Sequence, residues 1–180
     1  MVFERLFGRG QTSRFECVYR DCKSLCCKNN LVVLNEDDVA SFKEMGIGVS
    51  EVTETLGLNE FLKVLGATPM KQLEGLQVLR LKKTVDGGCA FLSHEDGACR
   101  IYNRRPYYCR EFPFKFSKGR IKSADPVCPG LNRGAEKDLT GLKKELGLSL
   151  VELKPPFLLG DSAKLKTARP LMSVVFRLLR

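Results

Sequence analysis

Between residues 35 and 66 the apolar positions recur with the spacing of one helical face. Val39, Phe42 and Met45, for example, follow one another at intervals of three. Side chains that cap helices stand in the polar breaks of this stretch, and each run ends at a glycine. Three short helices are therefore predicted, the first over 36–45, with Asn35, Ser50 and Asn59 as caps and Gly46, Gly57 and Gly66 as ends.

After residue 75 the pattern becomes typical of strands, interrupted by turn residues. The turns expected to join hairpins are Asp86-Gly87-Gly88 and Lys118-Gly119. The segments predicted to be extended are 76–84, 89–92, 98–102, 112–116 and 120–123.

The last third of the chain returns to a helical pattern. One helix is predicted over 135–146, because Leu139, Leu142 and Leu146 align and a glycine follows. The prolines beyond residue 148 indicate an extended segment and then a short, basic, amphipathic C-terminal helix. We expect that helix to dock on the protein's own body rather than on a membrane surface.

Together these elements predict a small single domain of the α+β class, with short helices and β-hairpins. Its body is expected over residues 1–147, with 148–180 as a helical C-terminal extension packed on it. The cysteines are expected on turns and strand ends. With 180 residues, of which 43% are hydrophobic, the chain has the size and composition of one ordinary domain.

The chain shows no sequence signature of export or membrane insertion. Its longest apolar stretches are far shorter than the roughly 18 residues that a transmembrane segment needs. Glu4, Arg5 and Arg9 interrupt the region where a signal peptide would have its apolar core. A cytoplasmic location, in which thiols stay reduced, is therefore expected.

Cysteine is the residue type that indicates function. The chain has eight cysteines but one histidine, and that residue, His94, lies in a predicted turn where we interpret it as solvated. A site built on imidazoles is excluded, so any metal must be held mainly by sulfur. Zinc or an iron–sulfur cluster is favoured over copper(II), magnesium or calcium, and residues 1–147 are expected to be a cysteine-cluster metal-binding domain.

The net charge of +9 is concentrated where the cysteines are. Residues 1–30 have 6 basic and 3 acidic side chains, and residues 76–133 have 12 and 5, whereas 31–75 have 3 and 8. The basic excess indicates either a nucleic-acid surface or positive charge that stabilises metal-bound thiolates. We favour the second, because charge and cysteines occur together.

The cysteines form two groups in the sequence. The upstream group has four sulfurs within eleven residues, and its adjacent last pair is expected to point in different directions. The downstream group has a specific context: Gly88-Cys89-Ala90-Phe91-Leu92, then CRIYNRRPYYCREFPF over 99–114, then Cys128-Pro129-Gly130. The predicted metal ligands are Cys17, Cys22, Cys26, Cys27, Cys89, Cys99, Cys109 and Cys128.

These motifs resemble the YkgJ-like cysteine-cluster proteins, the zinc- or iron-chelating CxxCxxCC family, over roughly Cys17–Gly130. The upstream group differs in having four and three residues between its first cysteines where the family has two and two. The resemblance implies metal chelation. Through the distantly similar flagellin lysine N-methylases, it also implies an iron–sulfur cluster needed for lysine methylation.

Spacing favours an iron–sulfur cluster, most simply 4Fe-4S, over zinc. Structural zinc sites usually use two close cysteine pairs, and the sequence contains no C-x(2)-C pair. Arg105 and Arg110 are expected to pair with a carboxylate or donate to cluster sulfur.

The function expected is a cytosolic metal-cluster protein in electron transfer, metal handling or assistance to a modification enzyme, with another protein as partner. Two alternatives are a zinc-stabilised protein- or nucleic-acid-binding module and a cluster-dependent protein lysine methylation enzyme. Whether the chain is itself an enzyme is left open.

Overall fold

Short helices and short strands are mixed along the chain in the computed structural model, which describes residues 11–117, 120–148 and 155–178. The strands are Thr12–Phe15 (β1), Thr53–Gly57 (β2), Gln77–Leu81 (β3), Phe114–Ser117 (β4), Arg120–Ala124 (β5), Leu131–Asp138 (β6) and Leu158–Leu159 (β7). The helices are Leu25–Asn29 (α1), Glu36–Glu44 (α2), Val49–Val52 (α3), Leu58–Val64 (α4), Tyr107–Glu111 (α5), Leu139–Glu145 (α6) and Ser162–Leu178 (α7). The predicted α+β class is confirmed.

Among the described residues, every helix falls short of the length and apolar character that crossing a bilayer requires. The signal-peptide prediction concerns Met1–Gly10 and lies outside the described residues.

The chain divides into two compact units. The first comprises the described parts of Met1–Asn30 and Phe91–Glu152, and the second those of Leu31–Ala90 and Leu153–Arg180. The sequence boundary at residue 147 stays a prediction.

The first unit is built on two antiparallel strand pairs. β1 pairs with β6, from Thr12 opposite Asp138, and a bulge near Phe15 ends that ladder. β4 and β5 form a hairpin. A core of mainly aromatic and leucine side chains lies against them, and the Phe15 and Phe114 rings meet edge to face with their centroids 5.6 Å apart. Its buried members are Phe15, Phe114, Phe116, Ile121, Leu142, Leu146 and Leu148.

The second unit has a three-stranded antiparallel sheet in the order β2-β3-β7. α2 begins with a capping box, in which the Asn35 side chain accepts from the Asp38 amide and the Asp38 carboxylate accepts from the Asn35 amide. The predicted cap Asn35 and the end of the helix near Gly46 are therefore confirmed. The largest side chains buried in this unit include Phe42, Leu58, Leu62, Leu76 and Met172.

The sequence prediction was wrong for the helix expected between Ser50 and Gly57. α3 covers only one turn, with Gly48 at its cap, and Thr53–Gly57 is strand β2. Threonines favour the extended chain, and pairing with β3 buries Thr53 and Leu56. Asn59 is not a cap either; its side-chain amide bonds the backbone of Met70.

Three other predictions also need correction. The helix expected over 135–146 starts only at Leu139, because 135–138 belong to β6 and Asp138 is the cap. Segments 89–92 and 98–102 form isolated bridges rather than strands. The C-terminal helix α7 already begins at Ser162 and includes Pro170. By contrast, the hairpin expected over 112–123 is confirmed as β4 and β5, and the strand expected over 76–84 as β3.

Candidate metal centre

Seven of the eight cysteines belong to the first unit, and Cys89 belongs to the second. None of the eight forms a disulfide, so no disulfide competes with a metal for the sulfurs. Cys17 and Cys128 pack against the aromatic core of the first unit. That core therefore positions two sulfurs that are more than a hundred residues apart in the sequence.

The upstream cysteines lie on a tight loop that follows β1. The Cys22 amide donates to the Val18 carbonyl (3.0 Å) and the Ser24 amide to the Tyr19 carbonyl (3.0 Å). Lys23 and Ser24 both adopt left-handed backbone conformations, with φ of 50° and 57°. The loop then enters α1, which contains Cys26 and Cys27. Two consecutive non-glycine residues in this region are a strained arrangement of the kind found at functional sites.

A further hydrogen bond fixes this strained loop. The hydroxyl of Ser24, which is 3% exposed, donates to the Gly97 carbonyl in the turn that precedes Cys99. The upstream loop is thus held against the downstream part of the same unit.

Cys26 has a lowered pKa. The hydrogen bond from the Cys27 side chain, the charge of Arg105 and the backbone amides of Cys26 and Cys27 lower the pKa of Cys26 from 9.0 to about 7, against the effect of burial. Whether the adjacent pair serves one centre or two stays a prediction; both residues lie on the single turn of α1.

Two more sulfurs interact with Cys26. Burial raises the pKa of Cys17 and of Cys128, and the nearby Cys26 sulfur raises both further. Cys128 is also influenced by Cys22 and Cys17. The sulfurs of these four residues therefore lie close enough to repel one another as thiolates.

A backbone contact brings the ends of this group together. The Glu16 amide donates to the Gly130 carbonyl (3.1 Å), which ties the residue before Cys17 to the segment that follows Cys128. A Cβ atom on Gly130 would lie 2.3 Å from the Glu16 carbonyl oxygen, closer than such atoms pack. Glycine at this position thus permits the approach of the two segments.

The other downstream cysteines and the histidine lie on separate local elements of the described chain. Cys99 forms an isolated bridge with Leu92, and Cys109 is on α5. Cys89, 8% exposed, forms an isolated bridge with Lys83. His94 is exposed, as expected of a turn residue. Whether Cys89, Cys99 and Cys109 are ligands stays a prediction.

The two predicted arginines differ in their surroundings. Arg105 acts on the Cys17 and Cys26 sulfurs through its charge, and its guanidinium carbon lies 3.7 Å from the centre of the Tyr102 ring. Arg110 instead donates from Nη1 to the Gly147 carbonyl (2.7 Å). The sequence did not identify Tyr102 as a site residue. The available signal was that Tyr102 stands three residues before Arg105, a spacing that places two side chains on the same side of a helical turn.

The donor set fits a soft metal. Within residues 11–117, 120–148 and 155–178, no group of three or more His, Cys, Asp or Glu side chains is arranged so that it could hold a metal ion. The chemistry of the cluster is nevertheless suited to zinc or iron, since it consists of free thiols, one of which loses its proton near neutral pH.

A family comparison agrees with this chemistry. Residues 16–129, more than half of the chain, match the model of the CxxCxxCC family, described as "Putative zinc- or iron-chelating domain". The chain belongs to this family. Searches of curated proteins and of solved structures found no match. The matched range contains all eight cysteines, so the CxxCxxCC assignment supports metal chelation by this set.

The titration of Cys26 in this CxxCxxCC chain gives a testable pH dependence. Because the pKa of Cys26 is lowered in the folded protein, its thiolate stabilises the metal-free fold fully above about pH 9. That stabilisation is lost as the pH falls through about 7. Iodoacetamide alkylation of the metal-free protein should therefore reach half its maximal rate at Cys26 near pH 7, and at Cys17 and Cys128 only above pH 9.0.

Mass spectrometry of the alkylated peptides measures these rates residue by residue. Arg105→Gln should move the Cys26 midpoint to higher pH, because it removes one positive charge that favours the thiolate. Arg104→Gln removes the same charge one residue away and is the matched control. Equal shifts in both variants would contradict a specific effect of Arg105.

Proposed function

We propose that this chain binds an iron–sulfur cluster, of the 4Fe-4S type, through cysteines of its first unit. The observation that supports the proposal is that the Cys17, Cys22 and Cys26 sulfurs all lie within electrostatic range of Cys128, across a long sequence separation. Four thiolates are the ligands that such a cluster requires. When bound, the cluster supplies one-electron chemistry or transferable iron and sulfur.

The protein's own residues prepare the sulfurs for binding. Cys26, whose pKa is lowered to about 7, is about half deprotonated at neutral pH before metal binds, whereas the raised pKa values of Cys17 and Cys128 mean that these thiols must release protons when metal binds. Arg105 offsets part of the negative charge that accumulates as the thiolates form. Core packing around Cys17 and Cys128 limits the access of water to the same sulfurs.

The arrangement of the donor sulfurs favours an iron–sulfur cluster over zinc. Three of the sulfurs lie within one short segment, residues 17–26, with irregular spacing, and the fourth comes from a remote segment. Iron–sulfur sites tolerate such spacing, whereas structural zinc sites usually combine two close pairs. Zinc remains the alternative metal, because thiolates bind it well and the family description names both.

We further propose that the protein acts in the cytosol, in electron transfer, metal handling or assistance to a protein-modifying enzyme. A second protein is then the partner that delivers or receives electrons or metal. The net charge of +9 favours a partner with an acidic docking surface.

Purification of the full chain without oxygen tests the cofactor. We expect a brown protein with absorption near about 400 nm and about four iron and four sulfide per chain. A colourless protein with about one zinc per chain would support the alternative module instead. Protein with neither metal after reconstitution with iron and sulfide, or with zinc, would contradict metal binding altogether.

A further inference from the structure

A one-turn 3-10 helix at Tyr102–Arg104 places two side chains next to each other beside the cysteine loop. Residues three apart lie on the same side of such a turn, so Tyr102 and Arg105 face one way. Arg105 Nε donates to the Tyr102 carbonyl (2.8 Å), and its guanidinium carbon stands 3.7 Å from the Tyr102 ring centre. The arginine is thus fixed to both the backbone and the ring of the tyrosine.

The polar end of the same tyrosine reaches a sulfur. The Tyr102 hydroxyl and the Cys17 sulfur are hydrogen-bonded to each other. A tyrosine hydroxyl, whose ordinary pKa is about 10, carries its proton at neutral pH. The hydroxyl is therefore the donor and the sulfur the acceptor.

We propose that Tyr102 is a positioning residue of the metal centre, which holds the Cys17 sulfur by a hydrogen bond from its hydroxyl while Arg105 holds the tyrosine ring. The inference rests on the proposed function, since it assigns these residues a role toward bound metal. Groups that donate to ligand atoms commonly orient those atoms, and their loss lowers metal affinity about 10- to 100-fold.

Cys17 has particular need of such a group. It follows β1 at the end of a ladder that a bulge interrupts, and it precedes the first turn of the cysteine loop. Its partner Cys26, by contrast, is held within a helix and by Cys27. A donor from the downstream segment gives Cys17 a second point of attachment.

Tyr102→Phe removes only the hydroxyl and keeps the ring on which Arg105 is stacked. Tyr102 is 39% exposed, so this variant is expected to fold. Tyr19→Phe is the matched control, because Tyr19 also stands beside the cysteines and beside an arginine, at 5.7 Å from Arg20. It holds the loop through its backbone carbonyl, which the substitution retains.

The metal-loaded full-length variants are challenged with an excess of EDTA, and metal loss is followed by absorption and metal analysis. We expect Tyr102→Phe to lose metal about tenfold faster than the wild type, and Tyr19→Phe to match the wild type. Arg105→Lys should have an intermediate rate, because it keeps the charge but not the planar stack.

The reduction potential separates a direct role from a structural one. A hydrogen bond to a ligand sulfur favours the more negative, reduced cluster, so Tyr102→Phe should have a lower potential while its melting temperature is unchanged. If the bound metal is zinc, cobalt(II) is substituted and the sulfur-to-cobalt absorption band should shift in Tyr102→Phe alone.

The outcomes distinguish this inference from the proposed function. Wild-type protein that holds metal, with Tyr102→Phe equal to Tyr19→Phe in metal loss and in spectrum or potential, overturns the role of Tyr102 and leaves metal binding intact. Wild-type protein that holds no metal overturns both.

Discussion

Cys26→Ser and Cys128→Ser are each expected to remove most of the bound metal from the purified chain. A serine hydroxyl is a poor ligand for a soft metal and does not ionise near neutral pH. Cys26 has a pKa lowered to about 7, and Cys128 is the downstream sulfur that the three upstream ones influence. Either loss leaves the cluster with an incomplete set of sulfurs.

Metal content per chain, measured on folded variants after identical reconstitution, checks this expectation. Cys89→Ser is the matched control, since it makes the same chemical change at a buried thiol in the second unit. It should retain nearly all of the metal. If Cys89→Ser lost as much metal as Cys26→Ser, the four sulfurs proposed as ligands, those of Cys17, Cys22, Cys26 and Cys128, would not be the ligand set.

The metal content of Cys128→Ser also distinguishes a local metal site from one that joins distant segments of the chain. If metal is lost only from variants of Cys17–Cys27 and Cys128→Ser retains it, the site is confined to the upstream loop. Partial loss of similar size from upstream and downstream variants would instead indicate two separate centres. The unassigned Cys99 and Cys109 belong in the same series for this reason.

Local sequence signals were sufficient where a short segment determines its own structure. The capping box of α2 involves only Asn35 and Asp38, and its helical face repeats within ten residues. Likewise, the hairpin of β4 and β5 pairs segments that are neighbours in the chain. Such elements depend on contacts between residues that are close in the sequence, so the sequence pattern is sufficient to predict them.

Local signals failed where pairing between distant segments determines the structure. β1 has the sequence Thr-Ser-Arg-Phe, which shows no strand pattern, and it is extended because it pairs with β6. The same pairing makes 135–138 a strand rather than the start of α6. In the second unit, pairing with β3 converts Thr53–Gly57 from a predicted helix into a strand.

In the metal site, too, some features follow from local sequence and others from pairing between distant segments. Residue types alone indicate a sulfur site, because the chain has eight cysteines and one histidine. The grouping of those cysteines depends on the distant pairing of β1 with β6, which brings Cys17 towards Cys128. No local pattern could reveal that pairing. The hydrogen bond between Tyr102 and Cys17 depends on the same tertiary arrangement.

Gly130→Ala is expected to disrupt both the fold of the first unit and its metal site. The new Cβ atom would lie 2.3 Å from the Glu16 carbonyl oxygen and 3.2 Å from the Phe15 ring. Backbone cannot yield as a flexible side chain can, so the segments before Cys17 and after Cys128 must separate. Overpacking of this kind costs about 1–3 kcal/mol of the free energy of unfolding.

Denaturant unfolding and metal analysis of the same preparation measure the two effects together. Gly57→Ala is the matched control, because its Cβ would make only ordinary contacts, the nearest at 3.8 Å with Glu60. It should change stability little and leave metal content unchanged. If Gly130→Ala loses stability but still binds metal as the wild type does, the approach of Glu16 to Gly130 supports the core alone, and Cys17 and Cys128 do not depend on it to share a metal. If it remains folded but loses most of its metal, the contact between Glu16 and Gly130 is what brings the Cys17 and Cys128 sulfurs within reach of one metal centre.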